Sequence, residues 1–231
     1  MKIYFDGCSW TEGAELENEK EERFSKVLCN ELGAEEYNFA VCGGSNDRIV
    51  RNLLVENNIE EYDLAVIQMT FPARTEYYDN QWVKESRNRS WSQDDNDGEI
   101  PNLLLAGTTG HAQWVKVSPK NNYNKWLHGE KGDIRRLGEK FSHHSDFWKY
   151  WYMHVSNQKH FETIEKIHYH TIRNSCKIPL VLCTINRWTK LPFDIQLEDG
   201  TRNMRHKMGH PNKDLHRIFA DKIIQIAERR L

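Results

Sequence analysis

The feature that most limits what this chain can become is a strand-then-helix pattern repeated three times along its N-terminal part. Residues 2–6, Lys-Ile-Tyr-Phe-Asp, are a short apolar run that stops at Gly7, and helical spacing follows through Phe24, Val27, Leu28 and Leu32 as far as Gly33. A glycine there suits the left-handed exit of a helix. Tyr37 to Val41 reads as a second strand ended by Cys42-Gly43-Gly44, after which Ser45 or Asn46 caps a helix carrying Ile49, Leu53 and Leu54. The third strand, Leu64-Ala65-Val66-Ile67, is apolar on both faces, as a strand covered on both sides must be. Alternation of this kind predicts an α/β fold with a central parallel sheet and helices on both faces.

Past Tyr77 the period is lost. From about 77 to 142 Gly, Asn, Asp and isolated tryptophans (Trp82, Trp91, Trp114, Trp126) show no sustained period. A structureless loop of that length does not suit a compact domain, so this aromatic-rich insertion is expected to carry short strands or turns and to sit over one sheet edge as a cap. Helical spacing returns through Phe147, Trp148, Trp151, Tyr152 and Val155, and again through Ile164, Ile167 and Ile172, as one long or broken helix. Pro179 to Ile185 is a fourth buried strand. A last helix begins near Asn212 and presents Leu215, Ile218, Phe219, Ile223 and Ile226 on one face. A single domain over 1–231 with one insertion accounts for the whole pattern.

Bulk properties exclude several classes of function. The net charge is −2 and no basic stripe runs along the chain, so no nucleic-acid partner is expected. No apolar run approaches the ~20 residues that cross a bilayer, and the N-terminus lacks the order of a signal peptide. No membrane partner is expected, and the location read from this is cytoplasmic, or virion-associated if the chain is packaged. Cys8, Cys29, Cys42, Cys176 and Cys183 are odd in number and widely spaced, which reads as reduced thiols. No metal site is expected, since His168 and His170 lie two apart on a helix and point to different faces, and no nucleotide cofactor, since no G-x-G-x-x-G or G-x-x-x-x-G-K-[ST] follows any strand.

In an open parallel sheet, ligands bind beyond the carboxyl ends of the strands, and the sharpest motifs of this sequence fall there. Gly7-Cys8-Ser9-Trp10-Thr11-Glu12-Gly13 follows the first strand. A Ser on a tight strand-to-helix turn has an exposed hydroxyl suited to nucleophilic attack, although from position alone it serves equally as a helix cap. Asn38 to Arg48 follows the second strand and contains Gly43-Gly44, whose N–H groups can approach an anionic oxygen; an ordinary glycine turn has the same residues. Gly209-His210-Pro211-Asn212 precedes the last helix and supplies an imidazole, the usual base for a hydroxyl nucleophile, or else a surface histidine.

The ordered set G-C-S-W-T-x-G, then N-x-x-x-x-G-G-S-N, then H-P-N resembles the SGNH (GDSL-like) hydrolases, with G-G-S-N-D-R-I and Q-M-T-F-P-A-R resembling phage-encoded variants. The resemblance implies a flavodoxin-like three-layer α/β/α sandwich. It implies Ser9 as nucleophile with its own N–H as an oxyanion donor, Gly43 as a second donor, and His210 as general base. Thr70 stands where that family carries its oxyanion Asn and would donate through its hydroxyl; Gln68 would do so only with its side chain turned into the site. Asn46, Gln68 and Arg74 are the candidate substrate contacts. Cys8 replaces the family Asp of the first block. Lys207 occupies the position of the family acid, which leaves a Ser-His dyad held by a backbone carbonyl, or an acid from Asp194, Glu198 or Asp199. His216, one turn into the last helix, is a further histidine that could face the site.

The function expected on this basis is a serine esterase or deacetylase acting on O-acyl esters, with O-acetylated carbohydrate as the substrate class that tryptophans in the insertion would suit. The alternative is a catalytically weak or inactive glycan-binding or virion structural protein on the same fold.

Overall fold

The computed structural model describes residues 1–78, 114–117, 151, 157–197 and 210–231. They form two compact units, one of Met1–Phe71 with Lys166–Leu231 and one of Pro72–Glu165. The first unit holds a five-stranded sheet: β1 (Lys2–Asp6), β2 (Glu35–Asn38), β3 (Leu64–Met69), β6 (Leu180–Thr184) and β7 (Ile195–Gln196). The spatial order is β2-β1-β3-β6-β7 and every pairing is parallel. This is the flavodoxin-like order, whose switch point lies between β1 and β3. The second unit contains an antiparallel pair, β4 (Thr75–Tyr78) with β5 (Trp114–Val117), in which Thr75 faces Val117. The rest of the expected insertion, 79–113 and 118–142, lies outside the described residues.

Period-two alternation along the central strands divides the core into two layers. Ile3 and Phe5 of β1, Leu64 and Val66 of β3, and Val181 and Cys183 of β6 face one side. There they pack on Phe24 and Leu28 of α3 (Phe24–Leu32) and on Leu215, Phe219 and Ile223 of the last helix, Lys213–Ala227. The intervening residues Tyr4, Ala65, Ile67, Met69, Leu180 and Leu182 face the other way. They meet Ile49 of α4 (Asn46–Arg51), Leu53, and Tyr169 and Ile172 of α5 (Gln158–Ser175). With two short helices, α1 (Ser9–Glu12) and α2 (Glu19–Glu22), ahead of α3, the last helix is α6. No helix among the described residues is long and apolar enough to cross a membrane.

Most element boundaries follow the caps. Gly33 closes α3 with φ +60°, Ser45 Oγ accepts from Arg48 N at 3.2 Å to open α4, and Asn212 opens α6 by accepting from Leu215 N at 3.0 Å. The second strand differs from expectation: it runs Glu35–Asn38, two residues earlier than the apolar reading of Tyr37–Val41. β2 is an edge strand, and its ladder uses the polar Glu35 and Glu36, the latter held by Arg23 at 2.9 Å. An edge of that kind carries no apolar signal. Beyond Asn38 single bonds continue from Phe39 N to Phe5 O and from Val41 N to Gly7 O. Leu54, grouped by spacing with the buried Leu53, is exposed because α4 loosens into a π-helical turn over Asn52–Glu56. The five cysteines are free thiols.

Two polar clusters brace this sheet. At the end of β1 the fully buried Asp6 accepts from Arg48 Nη1 (2.8 Å), Gly7 N (2.8 Å), Asn52 Nδ2 (2.9 Å) and Tyr4 OH (3.2 Å). Burial pushes its carboxyl up, and Arg48, Asn52 and Gly7 pull it back. Asp194, before β7, accepts from Leu182 N (2.7 Å) and pairs with Arg230 (2.6 Å) and Arg173 (3.0 Å). Burial raises the Asp194 carboxyl, but its hydrogen bonds to Arg230 and Arg173 outweigh that and hold it below the ordinary carboxylate range.

Removing one partner of a buried pair leaves the other charge stranded. Arg48→Met is expected to cost about 3–5 kcal/mol, seen as a fall in melting temperature of roughly 6–20 °C for a chain of this size; the double variant D6N/R48M should recover part of the loss. For Asp194, whose folded pKa is depressed, the stabilisation is present above the unfolded value of about 3.9 and disappears as pH falls through the folded value. Urea titrations should therefore show native protein and D194N converging in stability below about pH 4.

Candidate active site

The geometry begins with the turn after β1. Gly7 has no room for a side chain: a Cβ there would stand 2.4 Å from Thr11 Oγ1 and 2.9 Å from Gln68 Oε1. Cys8 is extended and takes the N-cap position of α1, with its carbonyl accepting from Thr11 N (2.9 Å) and Glu12 N (3.0 Å). Ser9 is therefore the first helical residue, and its hydroxyl is not used as a cap. From beneath, the buried Gln68 of β3 braces the turn, its Oε1 accepting from Cys8 N (3.3 Å), Cys8 Sγ (3.3 Å) and Thr11 Oγ1 (3.0 Å) while its Nε2 donates to Met69 O (2.9 Å). The Gln68 amide thus lies under the turn, bonded to Cys8, Thr11 and Met69.

The chain after α1 reverses tightly. Gly13 has φ +96° and Glu15 has φ +70°, the latter the one described non-glycine residue with positive φ. Both Gly13 N and Ala14 N return to Ser9 O at 3.0 Å. That reversal puts the Glu15 carboxylate beside His210, at the entry to α6. His210 precedes Pro211, which disfavours helical backbone for it, and Asn212 then caps α6.

Here the two ends of the chain meet. His210 Nε2 lies 2.9 Å from Ser9 Oγ, and His210 Nδ1 lies 2.6 Å from Glu15 Oε2, with His210 N donating to the same oxygen at 3.4 Å. An ionised carboxylate only accepts, so Nδ1 carries the proton. In the neutral ring Nε2 is then the acceptor, and the Ser9 hydroxyl donates to it. Ser9 is 4% exposed, and the side chains of His210 and Glu15 are 18% and 19% exposed.

The loop after β2 comes up against the same turn. A Cβ on Gly44 would lie 2.8 Å from Gly7 O and 2.9 Å from Val41 O, so the two backbones touch there. Gly43 has φ +69°. Among the described residues neither the Gly43 N–H nor the Ser9 N–H has a hydrogen-bond partner within the chain, as donors waiting for an anionic oxygen would be. Thr70, at the end of β3, is fully buried; its N donates to Asn46 Oδ1 (2.8 Å) and its carbonyl accepts from Asn46 Nδ2 (3.0 Å). Both ends of the Asn46 amide are thereby used to clamp the exit of β3 to the start of α4. Asn46 is a brace between these two segments. Arg74 lies half-buried in the second unit.

The other candidates fall elsewhere. Asp194 is committed to Arg230 and Arg173, not to His210. His216 is buried in the core, where its Nδ1 accepts from Phe24 N at 3.0 Å and its ring stacks on Phe24. His168 pairs with Asp47 at 2.9 Å. Glu198, Asp199 and Lys207 lie outside the described residues. Sequence reasoning, which places an acid in the stretch before the histidine, misses the contact of Glu15 with His210; its signal in the sequence is Gly13, a helix stop just after the serine that turns the next acid back.

No family model and no curated protein matches this chain. Among solved structures it is similar to the psychrotrophic esterase EstA from Pseudoalteromonas sp. at 10% identity, over 99% of this chain and 97% of that one, with a TM-score of 0.48. It is similar to the acetyl xylan esterase AlAXEase at 11% identity, over 97% and 98% of the two chains, with a TM-score of 0.43. It is also similar to the lipase Lip_vut3 from a goat rumen metagenome at 10% identity, over 98% and 97%, with a TM-score of 0.45. These are likenesses of chain path at low identity; the chemistry below stands on the side-chain geometry.

A methyl group at residue 44 must push two backbone carbonyls aside. Gly44→Ala is expected to destabilise by about 1–3 kcal/mol, a drop of roughly 2–12 °C in melting temperature.

Proposed function

We propose that this chain is a serine esterase in which Ser9 attacks and His210 moves the proton. The observation that carries the reading is the 2.9 Å contact between Ser9 Oγ and His210 Nε2, two side chains 201 residues apart. A contact across that separation requires the whole sheet to be assembled. The ring is held in the tautomer that accepts from the hydroxyl, which is the arrangement a general base needs.

The reaction follows from those atoms. As Ser9 Oγ bonds to the carbonyl carbon of an ester, its proton passes to His210 Nε2 and the carbonyl π pair moves onto oxygen. The N–H groups of Ser9 and Gly43 are the donors offered to that oxyanion. When the tetrahedral species collapses, the C–O bond to the leaving alcohol breaks and the alkoxide takes the proton from His210. Water repeats the sequence on the acyl-serine: its proton goes to Nε2, its oxygen to the acyl carbon, and Ser9 recovers its hydrogen as the acid departs.

The substrate class proposed is a short O-acyl ester, with O-acetylated carbohydrate first, because flat faces of the tryptophans suit sugar rings. Thr70 enters as a proposed third donor. Its backbone is fixed by Asn46, which supports a rigid position at the end of β3.

Hydrolysis of p-nitrophenyl acetate and of acetylated xylo-oligosaccharides by purified protein should fall by a factor on the order of 10⁴–10⁶ in kcat for Ser9→Ala. Labelling of native protein, and not of that variant, by a fluorophosphonate is expected alongside. Equal rates for the two proteins would refute the proposal.

A further inference from the structure

We infer that Glu15 is the positioning carboxylate of the Ser9–His210 pair, so that nucleophile and orienting acid come from one short segment, six residues apart, instead of the acid accompanying the histidine. The inference rests on the hydrolase reading above and adds a residue that the motifs do not supply.

Three observations point to it. The Glu15 carboxylate receives both the Nδ1–H (2.6 Å) and the backbone N–H (3.4 Å) of His210, gripping that residue by ring and main chain together. Such a grip fixes the ring's rotation and its tautomer with one group. Second, Glu15 holds a left-handed backbone at φ +70°, which a β-carbon disfavours and which this chain tolerates at no other described non-glycine residue. A glutamate with no task there would be better replaced by glycine or asparagine. Third, the strained residue follows Gly13 (φ +96°), and the intervening N–H groups are tied to Ser9 O, so the nucleophile's own carbonyl anchors the turn that returns the acid.

The chemistry asked of Glu15 is limited. It stays ionised throughout, holds the Nδ1 proton without taking it, and offsets the positive charge on the ring while Nε2 carries the serine proton. The groups placed against the ring are Glu15 at Nδ1 and the Ser9 hydroxyl at Nε2. Lys213, at the start of α6, turns to Glu22 at 3.0 Å. Loss of the carboxylate therefore removes the negative charge that offsets the imidazolium formed when Nε2 takes the serine proton.

The test compares Glu15→Gln and Glu15→Gly with native protein and Ser9→Ala, using p-nitrophenyl acetate across pH 5–9 with a thermal melt of each. E15Q is expected to lose about 10²–10⁴-fold in kcat with KM little changed, and its residual activity should show the acidic limb of kcat/KM displaced to lower pH. E15G, relieved of the left-handed penalty, should melt no lower than E15Q and show the same loss. The inference is overturned if either variant keeps native kcat while Ser9→Ala is inactive. It is equally overturned if E15Q loses activity together with its melting temperature while the pH limb stays in place, which is the behaviour of a merely structural contact. Full activity in Ser9→Ala instead brings down the hydrolase reading, a result separable from both.

Discussion

The Asp6–Arg48 pair is the constraint on which the upper rim of the sheet depends. Asp6 ends β1 with no exposed surface, and Arg48 sits in the first turns of α4, 3% exposed. A buried carboxylate is tolerable only when its lone pairs are filled, and here four donors fill them, one of them the N–H of Gly7. Arg48 also donates to Phe39 O, on the segment leading to Gly43. One ion pair thus fixes the exit of β1, the exit of β2 and the start of α4 relative to one another, and the serine turn and the glycine loop inherit their spacing from it.

Upon that anchor the rim is assembled mostly by contacts that use backbone. Gly7 and Gly44 approach within the radius of a missing methyl, Gln68 braces the serine turn from β3, and Asn46 pairs with both main-chain groups of Thr70. Each of these polar side chains is wholly buried, so its hydrogen bonds cannot be traded for water. The consequence is a set of strand exits around the β1/β3 switch point held rigidly before any ligand arrives, which is the preorganisation that charge development on an oxyanion rewards.

What the sequence made legible follows the same physics. Strands buried on both faces announce themselves as apolar runs, so β1, β3 and β6 were readable, as were α3 and α6 with their caps and one-sided faces. The edge strand β2 was misplaced because Glu35 and Glu36 satisfy its ladder without burying apolar surface, and the two-residue β7 has no pattern to find. Ser9 and His210 were singled out because each stands beside a turn-forming residue at a strand exit or helix entry. Asn46 and Gln68 look in sequence like any polar residues near a site, and the backbone groups they hold, on Thr70 and on Cys8 and Met69, are not announced locally. Only side-chain geometry distinguishes an amide that greets a ligand from one that holds the wall. Asp6 was read as the last residue of an apolar strand, and nothing local announces a partner 42 positions away.

Glu15 illustrates the harder limit. A catalytic imidazole requires only that some fixed acceptor meet its Nδ1–H; the requirement specifies a place in space and not a place in sequence. In a sheet of this order the serine turn and the histidine loop converge on one rim, so an acid carried by either can satisfy it. Carrying it on the serine side demands that the chain double back within a few residues, and an ordinary right-handed exit from α1 does not do this. Gly13 supplies the first left-handed step without penalty, but the second falls on the residue whose carboxylate is needed, and there glycine is not an option. The positive φ of Glu15 is therefore the conformational mark of an acid carried on the serine side, with the strain lodged at the one position where relieving it would remove the group itself.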